Sequence, residues 1–415
     1  MNINSKDWLK DYLKNKKEFL EEDFHIKAIR RGQHPDQTLY HIIQPTGLMY
    51  GYPVKNINGD EIIDEVRVKL LLIDTMVKSY MVTVENIRGG EKLLDDSVNN
   101  TIIELGQFYN AVYAELYTSS KSFFGKKRDD IEVVQRILNK RIDFKGSDNF
   151  WANFFHNTLL FLDIYLFRQW LQTGHDKMVI NFLKEQKEEL RFTVAKVMAA
   201  AAHANRVIEY EERKLFGYFL DSLSLSSERK KEAASLFENG VGLEDISVPD
   251  DHWILKKYFL EIAILTTWAD KKVEDIELEF LKELNAKFGF GDNEFENSML
   301  ALEGFVLDFW EELDKLQDRQ NFDRVSKDFT DRLAKIIEVN KRSLFEEVKS
   351  RGPLLELLQK AKVNKLEADE VDFIRTELIE AMESLTAFQI ISLPRKFLSL
   401  KVLMLVLPED FFKEI

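Results

Sequence analysis

A chain of 415 residues exceeds one ordinary hydrophobic core and is expected to divide into two or three domains. Hydrophobic residues at 45% and charged residues at 31% describe a folded globular protein and exclude a disordered one. The net charge of −14 disfavours wholesale wrapping of nucleic acid, and the absence of cysteine excludes disulfides, a thiolate nucleophile and cysteine-ligated zinc.

The opening stretch, MNINSKDWLKDYLKNKKEFLEED, has no apolar h-region and no small-residue cleavage site, so it does not read as a secretory signal. Trp8, Leu9, Tyr12, Leu13, Phe19 and Leu20 fall on one face of an amphipathic helix. Residues 38–68 hold two prolines, several glycines and an Asn58–Gly59 turn signal, and are expected to form an irregular segment with a short hairpin. Helices resume near Val66. No proline occurs between Pro53 and Pro249, and the Leu-, Glu-, Lys- and Ala-rich composition of that stretch favours helix throughout. The segment SSKSFFGKKRDD, residues 119–130, reads as an exposed loop. The segment from Trp151 to Trp170 is apolar enough to suggest a membrane span, but it carries His156, Asp163 and Arg168, each costly in hydrocarbon. It is expected to be a buried helix. The fold class is therefore all-α.

Residues 202–226 and 267–291 align without a gap at an offset of 65 residues. Asn205 matches Asp270, Ile208 matches Val273, Glu209 matches Glu274 and Glu212 matches Glu277, while Phe216, Phe219 and Leu223 match Leu281, Leu284 and Phe288. Each copy reads as a helix, an acidic turn and a second helix, with a carboxylate in the first turn of the second helix to complement its dipole. The pattern [Asn/Asp]-x-x-[Ile/Val]-Glu-x-x-Glu behind an apolar helix resembles the TerB-like family, named for tellurite resistance, over residues 190–305. That resemblance implies a metal-binding surface, carried here by Asn205 and Glu212 in the first copy and by Asp270, Asp275 and Glu277 in the second, with a divalent cation such as Ca²⁺ as the ion. Arg206 and Lys271 stand where the family has glycine.

Residues 341–365 carry seven Lys or Arg against three Glu, and residues 366–383 carry seven acids against one Arg. Such segregation is either two helix faces that attract each other or a basic patch open to phosphate or an acidic partner. After a break at Arg351-Gly352-Pro353, the chain contains Leu366, Asp369 and Glu370 at a helix start, then Leu393-Pro394, an apolar run, and Leu407-Pro408-x-x-Phe411. This order resembles the ribosome-binding domain of the Letm family of mitochondrial inner-membrane proteins and their bacterial relatives. Lys401 stands where relatives usually keep a further Leu-Pro break, and the family's transmembrane helix is absent from this sequence. The apolar run Leu398–Leu407 is about half the length of a membrane span and is expected to pack inside the module. Joining TerB-like and Letm-like parts is similar to the bacterial Letm-related biofilm-associated proteins.

No Walker A loop, dinucleotide fingerprint, nucleophile elbow or His-Glu-x-x-His helix is present, and the seven histidines are dispersed. The expected organisation is an N-terminal helical domain (residues 1–185), a TerB-like domain (186–305) and a Letm-like domain (306–415). The expected function is a non-enzymatic, cytoplasmic binding or adaptor protein without a resident cofactor or sequence-specific DNA binding. Its Letm-like module contacts the ribosome or another large assembly through Arg342, Lys349, Arg351, Lys360, Lys362, Lys365, Arg395, Lys396 and Lys401. The alternative is a stress-responsive adaptor that binds divalent cations at the acidic turns, and peripheral membrane contact is a further reading of the apolar C-terminus.

Overall fold

The computed structural model describes residues 7–14, 35–50, 64–84, 92–119, 128–143, 157–204, 210–248, 252–267, 275–308, 310, 319–363, 366–388 and 391–412. Every regular element among them is helical and none is a strand, in agreement with the all-α expectation. None of these helices is long and apolar enough to cross a membrane. The chain divides into two compact units, Met1–Tyr258 and Phe259–Ile415.

In the first unit, α1 (residues 8–14) buries Trp8, Leu9, Tyr12 and Leu13 as its periodicity predicts; Phe19 and Leu20 lie outside the described residues. The irregular segment expected from residue 38 is instead helical at its start. Helix α2 (Pro35–Ile43) opens with a proline and Asp36, buries Leu39, Tyr40 and Ile43, and gives way to short 3₁₀ turns at Gln44–Thr46 and Leu48–Tyr50. Gly47, at φ 73°, supplies the left-handed residue between those turns. Pro45 and Gly47 thus punctuate helical turns; the hairpin expected at the Asn58–Gly59 signal lies outside the described residues.

Next come α3 (Asp64–Val84), α4 (Lys92–Val112), α5 (Asp130–Arg141), α6 (Leu160–Thr173), α7 (Lys177–Ala202), α8 (Tyr210–Ser222), α9 (Ser227–Asn239) and α10 (Trp253–Thr267). Asp129, Asp176 and Ser226 cap α5, α7 and α9 by accepting from backbone amides three residues on. Helix α6 packs against α3, α4 and α7 and is buried almost all round, which confirms it as a core helix. The division between the units falls within α10.

The second unit continues with α11 (Asp275–Lys287), α12 (Asp292–Asp308), α13 (Arg319–Val339), α14 (Lys341–Ser350), α15 (Leu354–Val363), α16 (Ala368–Ser384) and α17 (Leu400–Val406). Gly352, at φ 58°, turns α14 into α15, where a β-carbon would be strained. Leu398, Leu403, Val406, Leu407 and Phe411 join Phe329, Leu333, Leu344, Leu358, Leu378 and Met382 in one core. Burial of each such side chain is worth about 1.5–3 kcal/mol. One residue departs from expectation: Leu405 is 66% exposed, because it lies one turn beyond Lys401 on the solvent face of α17.

The aligned copies are both helix–connection–helix. Their matched positions Phe216, Phe219 and Leu223, and Leu281, Leu284 and Phe288, are all buried. The first copy (α7, α8) belongs to the first unit, whereas α11 of the second belongs to the second unit. The domain limits expected near 185 and 305 fall inside α7 and α12, both continuous helices.

Candidate functional site

The basic rim expected on the C-terminal module separates into paired and unpaired cations. Arg351 donates to Glu377 at 3.1 Å and to Glu380 at 3.3 Å, both on α16. Lys360 reaches both oxygens of Glu370 at 2.6 and 2.8 Å, and Arg395 reaches Glu383 at 2.7 Å. For Arg351 and Lys360 the charge segregation resolves into helices that attract one another, since α14 and α15 both pack on α16, and Arg395 pairs back onto α16 from the turn that follows it. Lys362 is an exposed residue whose ammonium lies 3.7 Å from the centroid of the Phe412 ring, a cation–π contact. Arg342, Lys349 and Lys401 are exposed and form no ion pair with the described residues. Lys396 is exposed as well, and Lys365 lies outside the described residues. Sequence reasoning missed Lys327 and Lys335, two further exposed lysines of α13 without ion pairs to the described residues. Eight residues apart, they fall opposite the buried row Phe329, Leu333 and Ile337, a periodicity that could have found them.

The turn between α16 and α17 is fixed from below. Asp308, at the end of α12, accepts from the Lys396 and Phe397 amides at 2.9 Å each. Glu383 accepts from the Leu393 amide at 3.3 Å, and Arg375 donates to the Arg395 carbonyl at 3.0 Å. Pro394 sits on Gly304, where an added β-carbon would come within 3.2 Å of the proline ring, so glycine is what lets the turn approach α12. Burial raises the Asp308 carboxyl above its ordinary value, opposed by the amides it accepts from. The Leu-Pro punctuation of the sequence is thus a clamped corner carrying Arg395 and Lys396.

Of the acidic-turn residues, Asn205 and Asp270 lie outside the described residues, and of Glu212 only the backbone, in α8, is described. Asp275 is exposed and Glu277 is buried, both in the first turn of α11. Among the described residues no three His, Asp or Glu side chains converge as a metal site.

Three buried polar groupings were not foreseen. In the first unit, Arg141 donates to both oxygens of Asp163, at 2.7 and 3.2 Å, while Tyr109 and Tyr113 donate at 2.9 and 2.7 Å. Burial by itself would raise the Asp163 carboxyl, but the charge and hydrogen bonds of Arg141, with Arg191 and Tyr113, outweigh it and hold the group below its ordinary value. Arg168 is likewise paired with Asp36, which also accepts from the Ile254 amide at 3.3 Å. Asp163 and Arg168, two of the polar residues that argued against a membrane span, are therefore ion-paired inside a protein core, and His156 lies outside the described residues. In the second unit, Glu303 of α12 accepts from Arg332 Nε of α13 at 3.1 Å, and Arg332 also pairs with Glu296. No protein-family model matches the chain, and no curated protein or solved structure matches it.

Proposed function

We propose a non-enzymatic, cytoplasmic binding protein whose C-terminal helical module contacts the ribosome or another large phosphate-bearing assembly. The observation that supports this reading is the presence of Arg342, Lys349 and Lys401, exposed and without ion pairs to the described residues of the module, while Arg351, Lys360 and Arg395 are already spent on α16. Unpaired cations on rigid helices lose little on meeting phosphate and release counterions from it, the term that dominates such contacts. Lys362, exposed beside the Phe412 ring, extends the same set.

Co-sedimentation of the full chain with purified ribosomes across a salt series tests it. Binding at low salt that weakens steeply as salt rises is expected, with a reduced salt slope for the triple charge reversal Arg342→Glu, Lys349→Glu, Lys401→Glu. Absence of binding at low salt, or binding unchanged by that reversal, would overturn the reading.

A further inference from the structure

We infer that Glu303, Arg332 and Glu296 form a proton-controlled latch between α12 and α13, tight when Glu303 carries a proton and loosened when it is ionised. The hydrogen bonding of Glu303 is incomplete. Glu303 is 1% exposed, and while one oxygen accepts from Arg332 Nε at 3.1 Å, the other is buried and accepts from none of the described residues. A carboxylate stripped of water on one oxygen is costly. Arg332 offsets only part of that cost, because it divides its guanidinium between Glu303 and the half-exposed Glu296. The remaining charged neighbours oppose ionisation: Asp328 of α13 and Glu296 of α12 itself are both negative. The turn packed on the next residue of α12 brings Arg395 and Lys396, whose side chain and amide go to Glu383 and Asp308 respectively.

The location gives the latch leverage. Gly304, the next residue, is the seat of Pro394 and touches Phe329 of α13, and Asp308 one turn on caps the same corner. A change of charge at Glu303 therefore acts where α12, α13 and the Leu393–Phe397 turn meet. Burial pushes the Glu303 carboxyl from its ordinary 4.5 up to about 7, against the pull of Arg332. Because the closed form binds the proton more tightly than the open one, closure is favoured most below pH 4.5 and this contribution is lost as pH rises through about 7.

Hydrogen–deuterium exchange of the full chain at pH 6 and pH 8, corrected for the intrinsic exchange rate, reads this directly. Amides of α12 and α13 in the wild type are expected to open about tenfold more at pH 8 than at pH 6, the ratio that follows from a shift of this size. Glu303→Gln, neutral and isosteric, should abolish the difference and hold the protected level at both pH values. Equal opening at both pH values in the wild type, or an undiminished pH effect in Glu303→Gln, would overturn the latch. Carbon-13 NMR of Glu-labelled wild type adds a measurement independent of any variant. One glutamate carboxyl should titrate close to neutrality, and a spectrum in which all titrate in the ordinary range refutes the proposal.

Discussion

Asp163 and Glu303 are both buried carboxylates facing an arginine, yet they sit in opposite electrostatic states. Asp163 receives four hydrogen bonds, two from Arg141 and one each from Tyr109 and Tyr113, with Arg191 adding positive potential. Glu303 receives one from a shared arginine and has Glu296 and Asp328 for company. Burial penalises both charges; what decides the outcome is whether every lone pair and the surrounding charge compensate. Full compensation holds Asp163 ionised and makes the network a rigid fixture of the first unit, whereas partial compensation leaves Glu303 able to take up a proton.

The largest effect is expected on breaking the satisfied cluster. Asp163→Asn strands the buried Arg141 guanidinium and should destabilise the first unit by about 3–5 kcal/mol in urea unfolding. Its pH signature should oppose that of Glu303. A carboxyl held below its ordinary value contributes stability above the unfolded value, lost as pH falls through the depressed one, so the Asp163 contribution fails in acid. The Glu303 contribution instead fails on passing upward through neutrality. Unfolding curves that show the same sign of pH dependence for both variants would contradict the contrast.

Smaller effects are expected at the corner beside the latch. Gly304→Ala places a methyl 3.2 Å from Pro394 Cδ and 3.3 Å from Phe329 Cε2. Crowding of about 1–3 kcal/mol against two rigid rings outweighs the gain of about 1 kcal/mol from better helix propensity. A net loss of about 1 kcal/mol in denaturant midpoint analysis is the expected result, and a gain would show that the turn yields. Asp308→Ala removes the acceptor for two amides and should cost about 1 kcal/mol, while Asp308→Asn keeps an accepting oxygen and should recover most of it.

The part of this architecture legible in the sequence was the part written in local pattern. The proline-free middle, the α6 helix and the matched apolar positions of the two copies follow from helical periodicity alone. Even Leu405 was readable, since Lys401 marks the wet face of α17 and position i+4 shares it. Pro45 and Gly47 suggested irregular chain where short helical turns form, because such residues end helices as readily as they turn hairpins. Long-range polar pairing was not legible. Arg141 and Asp163 lie 22 residues apart, Tyr109 and Asp163 54 apart, and nothing in the intervening residues marks them as partners. The same blindness counted Arg351, Lys360 and Arg395 as free contacts, when tertiary packing had already assigned each an acid on α16.

That last distinction yields the smallest expected effects on stability and the sharpest division of roles. Arg351 is about one-quarter exposed and bridges two carboxylates of α16, so Arg351→Gln should cost about 0.5–1 kcal/mol, and a double-mutant cycle with Glu377→Gln should show coupling of that order. Lys349, two residues earlier on the exposed face of α14, touches no acid among the described residues, so Lys349→Gln should leave unfolding within about 0.5 kcal/mol of wild type. If the rim binds phosphate, ribosome co-sedimentation should order the two variants the other way. The unpaired lysine has only the partner to lose, whereas the arginine must first be drawn away from Glu377 and Glu380. A variant pair that ranks alike in both assays would mean that ion pairing on the module does not decide which cations are available for binding.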